Sequence, residues 1–533
     1  MRLRLLPTAF CALVAADACV PVRAQVAQFG VERHALEVAR LSGAAVLHRA
    51  GPEAEVEILV TVSAEGAVVA TKPGKAYGSL GSADIEAAQA AVRGWRFRPF
   101  DYRGRPVSVI GTVSVGFLPA TRPPDPRSRF PDAPLRDVRI VLERTPCYGS
   151  CPAYRVEISG DGTVLFTSEW WDAEKVDAMR TGGNVTGVLA GGPHRDRIPP
   201  ARVAALVQRF REAHFFGLDR SYRAQITDSA TYALSLRIGS AAKGVEDYVG
   251  DHIGMPASVT ALENAVDAAA GTDRWINGTA ATADALAAEG LDFTSAKAQR
   301  IAYYAVTDGD PAVLPGLLRH GLPLDAKAVT LGQPQKRLGE VLMLTAIRRH
   351  RAALVSLLAD RGWLAQVSKA ELSLAFAEGG GGGGPDLPAR LVAAGADPAA
   401  RDSEGRTALM NAVREIAWSE PSEARAAVAM IKPLVAAGVP LEAADKDGHT
   451  ALYEAGSYDA LTALLAAGAR ASLVDKEGRS PAVEAWDDRS VLTLLEAGAS
   501  PAGRGSDGKS LRERAADRPM PATLAWLDAH KVK

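Results

Sequence analysis

The sequence predicts a multidomain protein: two small α+β domains followed by an all-α repeat solenoid. Three observations carry this. Alternating apolar and polar runs joined by tight turns fill the chain up to about residue 280. A Pro-rich stretch, "PATRPPDPRSRFPDAP", divides that region at residues 119–134. From about Ala280 the composition turns Ala- and Leu-rich and a period appears, the mark of a stacked array. At 533 residues the chain is too long for one core, and domain statistics give roughly three to five folding units. Lys plus Arg number 61 and Asp plus Glu 62, so no overall charge favours nucleic acid or an anionic membrane surface.

The N-terminus, "MRLRLLPTAFCALVAADACVPVRAQ", places Arg2 and Arg4 before an apolar stretch from about Leu5 to Val20, with Val22 and Ala24 ahead of Gln25. This fits a signal peptide over residues 1–24, cut after Ala24. Asp17 interrupts the apolar run, which falls short of the ~20 residues that span a bilayer. "ADAC" is a poor lipidation signal at Cys19. The expectation is a cleaved, exported chain, with a retained anchor or a lipoprotein as the alternatives. Cleavage removes Cys11 and Cys19 and leaves Cys147 and Cys151 in an oxidising compartment.

Residues 25–52 are expected to form a helical lead-in. "EVEILVTVSAEGAVVATK" alternates and turns at Glu65-Gly66, a β-hairpin. "GSADIEAAQAAVRGW" sets Ser82 and Asp84 in capping position before a helix that ends near Arg93-Gly94. "WRFRPFDYRGRPVSVIGTVSVGF" then gives an extended segment, a turn at 103–106 and a strand to Phe117. Trp95, Phe97 and Phe100 read as core; Arg96, Arg98 and Arg103 read as the solvated face. This order, closed by "GWRFRPF…GRPV…VSVGF", resembles the C-terminal domain of the TonB energy transducer family over residues 53–118. The resemblance implies a periplasmic setting and a sheet edge able to pair with a receptor strand. A transducer needs an uncleaved anchor and a long Pro-rich spacer, which are not expected here. A docking or structural role is left, with a part in TonB-dependent transport as the alternative.

Residues 135–279 read as a second α+β domain. "RDVRIVLERT" and "AYRVEISGDGTVLFTSEW" alternate as strands, the latter pair joined at Gly160-Asp161-Gly162. "PPARVAALVQRFREAHFFGL" is an amphipathic helix from Pro199-Pro200 to Gly217. Two further strands and a closing helix, "PASVTALENAVDAAAGTDRWING", follow. "RTPCYGSCPAYRVEISGDGTV", with its downstream motifs, resembles an uncharacterised bacterial domain family of Cys-Tyr-Gly-Xaa-Cys-Pro signature, which supplies an architecture and no reaction.

The chemistry of Cys147 and Cys151 must therefore be weighed directly. A disulfide across a tight loop is the favoured reading. A metal site would need partners such as His194, His214 or His252, whose spacing does not suggest one. A thiol-redox centre would prefer a shorter spacing at a helix start. Asp161, Glu169, Asp228, Asp247 and Asp251 could mark a pocket, with Asp161 and Asp228 better read as turn residues. The Gly-rich run Arg180 to Asp196 lacks the ending of a phosphate cradle and reads as a flexible loop.

In the last region, residues 280–533, Gly395, Gly438, Gly468 and Gly498 lie 43, 30 and 30 residues apart, and Gly405, Gly448, Gly478 and Gly508 repeat the intervals. The unit Leu-Leu-x-x-Gly-Ala, then Asp-x-x-Gly-x-Thr-Ala/Pro-Leu, resembles the ankyrin repeat family, most clearly over 390–528. Degenerate copies lie upstream at "LPGLLRHGLPLDAKA" and "LTAIRRHRAALVSLLADRG". Two interruptions break the array: the inserted "IAWSEPSE", and a Gly-rich loop at 378–386. Asp402, Asp445 and Asp475, with Gly405, Gly448 and Gly478, read as structural turn residues. Thr407, Thr450 and Ser480 read as helix caps, and the final copy, with Gly505 where the Asp should be, as a capping repeat. The resemblance implies a protein-binding surface, with Glu404, Arg406, Lys446, His449, Lys476, Arg479 and Lys509 at the tips. No catalytic constellation, metal set or cofactor motif is expected. The chain reads as a periplasmic scaffold whose partners are other envelope proteins.

Overall fold

The structure, a computed structural model, describes residues 28–149, 151–168, 187–328, 331–379, 383–414, 421–518 and 520–532. The expected signal peptide, Glu169, residues 180–186 of the Gly-rich run, residues 380–382 of the six-glycine run and Ile416 to Glu420 of the insertion lie outside the described residues. A β-rich N-terminal region gives way to a helical C-terminal half.

In the first module, strands Ala54–Val62 and Val68–Tyr77 pair antiparallel, helix Ser82–Arg93 follows, and Val109–Pro119 returns along the other side of Ala54–Val62. Alternation puts Val56, Ile58, Val60 and Val62 on one buried face. Asp84 accepts a hydrogen bond from Gly81 N at 2.9 Å, so the cap is Gly81 and Ser82 is already helical. Trp95, Phe97 and Phe100 are buried while Arg96, Arg98 and Arg103 face solvent.

The lead-in departs from the helical expectation. Among its described residues only Arg33–Ala39 is helix; strands Arg40–Ser42 and Val46–Arg49 follow, and Phe29–Gly30 and Val46–Arg49 each lie parallel to Val109–Pro119. The chain reverses over Trp95 at Gly43, whose φ of +111° favours glycine and where a Cβ would sit 2.1 Å from the indole Cδ1.

In the second module seven strands run in the spatial order His194–Arg197, Thr163–Thr167, Tyr154–Ser159, Val138–Arg144, Tyr232–Ile238, Ala241–Tyr248, Ser221–Arg223. The two outermost were not expected. His194–Arg197 is the end of the Gly-rich run, and Ser221–Arg223 pairs parallel with Ala241–Tyr248. Helix Pro200–Glu212 stops short of Gly217 because His214 takes a left-handed conformation and 215–217 form a single 3-10 turn. Helix Ala257–Ala270 packs on strands Val138–Arg144 and Tyr154–Ser159.

Helices from Thr282–Ala288 to Pro521–Ala529 stack in succession. Their core is continuous with that of the second module: buried apolar side chains from Val138 to Leu527 form one cluster. The composition shift at Ala280 is not a gap, since Asp310 N bonds Asn277 O at 2.8 Å across it. The first module keeps a separate core, from Phe29 to Phe117. Among the described residues no helix is long and apolar enough to cross a membrane.

Candidate functional site

Among the described residues, two of the places where polar side chains gather into defined geometry are candidates for a site. The first is a row of turns between the later helices. Asp402 Oδ1 accepts from the backbone N–H of Glu404 (2.8 Å) and Arg406 (2.9 Å), and Oδ2 from Arg406 Nε (3.1 Å) and Asn411 Nδ2 (3.0 Å). Asp445 Oδ1 accepts from Asp447 N and His449 N, both at 2.9 Å. Asp475 Oδ1 accepts from Glu477 N (3.0 Å) and Arg479 N (2.7 Å), and Oδ2 from Arg479 Nε (2.6 Å) and Tyr453 Oη (2.9 Å). Gly405, Gly448 and Gly478 take left-handed φ and return their N–H to the Asp carbonyl. Neighbouring turns are stitched together, Lys446 N to Glu404 O at 3.1 Å and Lys476 N to Asp447 O at 3.0 Å. Burial pushes the Asp402 and Asp475 carboxyls up, but the hydrogen bonds outweigh it and hold both below the usual carboxylate range.

This bonding separates the tip residues into two sets. Arg406 and Arg479 are half-buried against their own turn aspartates. His449 stacks on Tyr453 at 4.0 Å with Nδ1 2.9 Å from Glu454 Oε1. Glu404, Lys446, Lys476 and Lys509 are exposed, Lys509 paired with Asp517. The ligand atoms of Asp445, Asp447 and His449 lie within 4.8 Å of one another; the turn's own bonds already engage Asp445 Oδ1 and His449 Nδ1.

The fourth turn explains Gly505. It is buried, and a Cβ there would lie 2.0 Å from Arg514 Nη1. An aspartate there would displace the Arg514 guanidinium, which in the structure is buried and reaches Glu484 Oε2 at 2.8 Å. The caps are uneven. Thr407 Oγ1 accepts from Met410 N at 3.4 Å. Ser480 Oγ turns away to donate to Ser500 O and caps nothing, and Thr450 is followed by a turn, not a helix. The last helix is no free cap, because the first module covers its start through Ala522.

The second place lies behind the cysteine loop. Cys147 and Cys151 are joined in a disulfide, Cα to Cα 5.5 Å, and the loop holds Tyr148 90% exposed. Tyr148 N bonds Asp228 O at 3.2 Å, tying the loop to Asp228, which is left-handed. The flanking strands bring Arg144 opposite both Tyr154 and Tyr232. Helix Ala257–Ala270 presents Glu263 and Asp267 to them, one turn apart. Asp267 accepts from Arg144 Nη2 (2.5 Å), Tyr154 Oη (2.6 Å) and Thr272 Oγ1 (2.9 Å). Glu263 is buried, its Oε1 has no hydrogen-bond partner, and burial together with Asp247 pushes its carboxyl up to about 8 against the pull of Arg144. Burial also raises Asp247, which accepts from Gly250 N at 2.7 Å. At about 8, the Glu263 carboxyl favours its protonated form at neutral pH, in which it can donate a hydrogen bond.

Of this cluster the sequence flagged only Asp247. Arg144 and Tyr154 bracket the cysteine signature, which is the signal that pointed nearby. Asp161 caps its hairpin, accepting from Thr163 N at 2.9 Å, and Asp251 is exposed. The three histidines lie apart from the cysteines. His194 stacks on Trp275 with Nδ1 2.7 Å from Glu289, His252 pairs with Glu53, and His214 is exposed. A cavity of about 150 Å³ in the first module is lined by Leu36, Arg40, Trp95, Phe97 and Ser114 among others.

The class these features define is a multidomain protein with a β-rich first half and a stacked helical second half. Within it, residues 138–270 match the model of a family described as a domain of unknown function, DUF6438. No curated protein matches the chain.

Proposed function

We propose that the protein is an exported, non-enzymatic scaffold of the bacterial envelope that holds other envelope proteins through an ankyrin-type array. The observation that carries this is the stitched row of turns, whose backbone is fixed by the turn aspartates while Glu404, Lys446 and Lys476 stand in solvent. A rigid row of exposed charges presents a partner with a surface that needs little ordering on binding. The bonded cysteine pair supports a periplasmic setting. The hairpin, helix and return strand of residues 54–119 support a TonB-like first module kept for docking.

Crosslinking in intact cells tests the proposal, comparing the wild type with Lys446→Glu/Lys476→Glu. Capture of envelope proteins by the wild type, with most of it lost in the variant at unchanged melting temperature, is expected. Equal capture by both, or none by either, refutes it. A second reading, a small-ligand or redox role for the middle module, is favoured by buried Glu263, whose Oε1 has no hydrogen-bond partner and whose carboxyl faces Arg144, three residues before Cys147. Titration of the native protein separates its branches: an easily reduced Cys147–Cys151 pair supports redox work, and an unreactive one rules it out.

A further inference from the structure

The first module and the end of the array, far apart in sequence, meet. Asp488, fully buried, accepts from Gly30 N (3.1 Å) on the module's outermost strand, and from Ala522 N (3.0 Å) and from Thr523 N (2.7 Å) and Oγ1 (2.5 Å) at the start of the last helix. Arg489 donates to Asp101 O at 3.0 Å, lies over the rings of Phe100 and Tyr458, and is oriented by Asp487. Glu496 accepts from Tyr102 Oη at 2.7 Å and pairs with Arg103. Leu492 and Ala522 add apolar contact.

This joint differs in kind from the one between the second module and the array. There the apolar core runs through without a break; here two separate cores face each other across a seam of hydrogen bonds and ion pairs, and beside it the first module also touches the second, where Glu53 meets His252 at 3.0 Å. On parting, a seam built on hydrogen bonds and ion pairs exchanges its partners for water, whereas a continuous apolar core has no such replacement. It also satisfies an edge: Asp488 occupies the outward N–H of a terminal strand that would otherwise be open to pairing.

We propose that the first module is a built-in, releasable occupant of the array's terminal face, held by the latch of Asp488, Arg489 and Glu496. Released, the module would present the outward edge at Gly30 and the rings of Phe100 and Tyr102, and the array would present Tyr458, Leu492 and Glu496. The inference does not depend on what the exposed turn row binds.

The test uses the full chain with Arg489→Ala, with Arg103→Glu, and with the charge swap Arg103→Glu/Glu496→Arg. Small-angle scattering reads overall size, and hydrogen exchange reads the Gly30 amide and the strand Ala54–Val62. The single variants are expected to expand the molecule and speed Gly30 exchange about tenfold or more, with Ala54–Val62 still protected, and the swap to restore both. Unchanged size and Gly30 exchange in the single variants, or a swap that fails to restore them, overturns the latch. Loss of protection along Ala54–Val62 also overturns it, since the module would then have no existence apart from the array.

Discussion

Asp475→Ala is the sharpest test of what holds the array's turns. Asp475 is 5% exposed and accepts four hydrogen bonds, one from a guanidinium and one from Tyr453 of the preceding unit. Hydrogen bonds to charged groups contribute about 1.5–3 kcal/mol each and do not add. Removing one partner of a buried pair costs about 3–5 kcal/mol, so a loss of about 3–5 kcal/mol is expected. Asp445→Ala removes two backbone bonds from a half-exposed carboxylate and should cost about 1–2 kcal/mol. At about 2–4 °C per kcal/mol for a unit of this size, thermal melts of the two variants should differ several-fold in shift. The sign with pH follows from the lowered Asp475 carboxyl. A depressed native pKa contributes stability that is present above the unfolded carboxylate range and lost as pH falls through the native value. The gap between wild type and Asp475→Ala should therefore close in acid. Equal losses for the two variants, or a gap that widens in acid, would refute the reasoning.

Two further outcomes are expected. Gly43→Ala forces a Cβ toward the Trp95 ring at a left-handed position, so it should destabilise the first module by about 2 kcal/mol or more, seen as a lower melting temperature with altered near-ultraviolet dichroism. Glu263 has a raised native pKa of about 8, so its contribution is present below the ordinary glutamate range and fades as pH rises toward 8. Wild-type urea midpoints should fall between pH 5 and pH 8, and Glu263→Gln should flatten that slope; an unchanged slope would show that another group titrates there.

What was legible in the sequence was local. The hairpin across Glu65-Gly66 and the helix Ala257–Ala270 follow from periods of two and 3.6, and the turn residues follow from a repeated Asp-x-x-Gly. The strand His194–Arg197 was missed because "HRDR" is polar throughout and is held by pairing with Thr163–Thr167, which no local pattern encodes. Asp267 gave no signal because its partners Arg144 and Tyr154 lie 123 and 113 residues away. Gly505 read as a missing aspartate; the space it leaves is filled by Arg514, a fact about packing and not about the turn.

Composition marked one real joint and one that packing erased. The Pro-rich linker and the shift at Ala280 look alike on paper, since each changes the residue mix. Across the second, Asp310 N bonds Asn277 O at 2.8 Å and the apolar cluster runs on from Ala270 through Leu286 and Ile301, so parting the two sides would expose core to water at roughly 25 cal/mol per Å². Across the first, the module keeps its own core and meets the array through Asp488, Arg489 and Glu496. Parting that seam exchanges protein hydrogen bonds for water's, so its cost is the net of that exchange and not the exposure of a continuous core. Of the two joints, the latch is therefore the one that can part without opening a continuous apolar core.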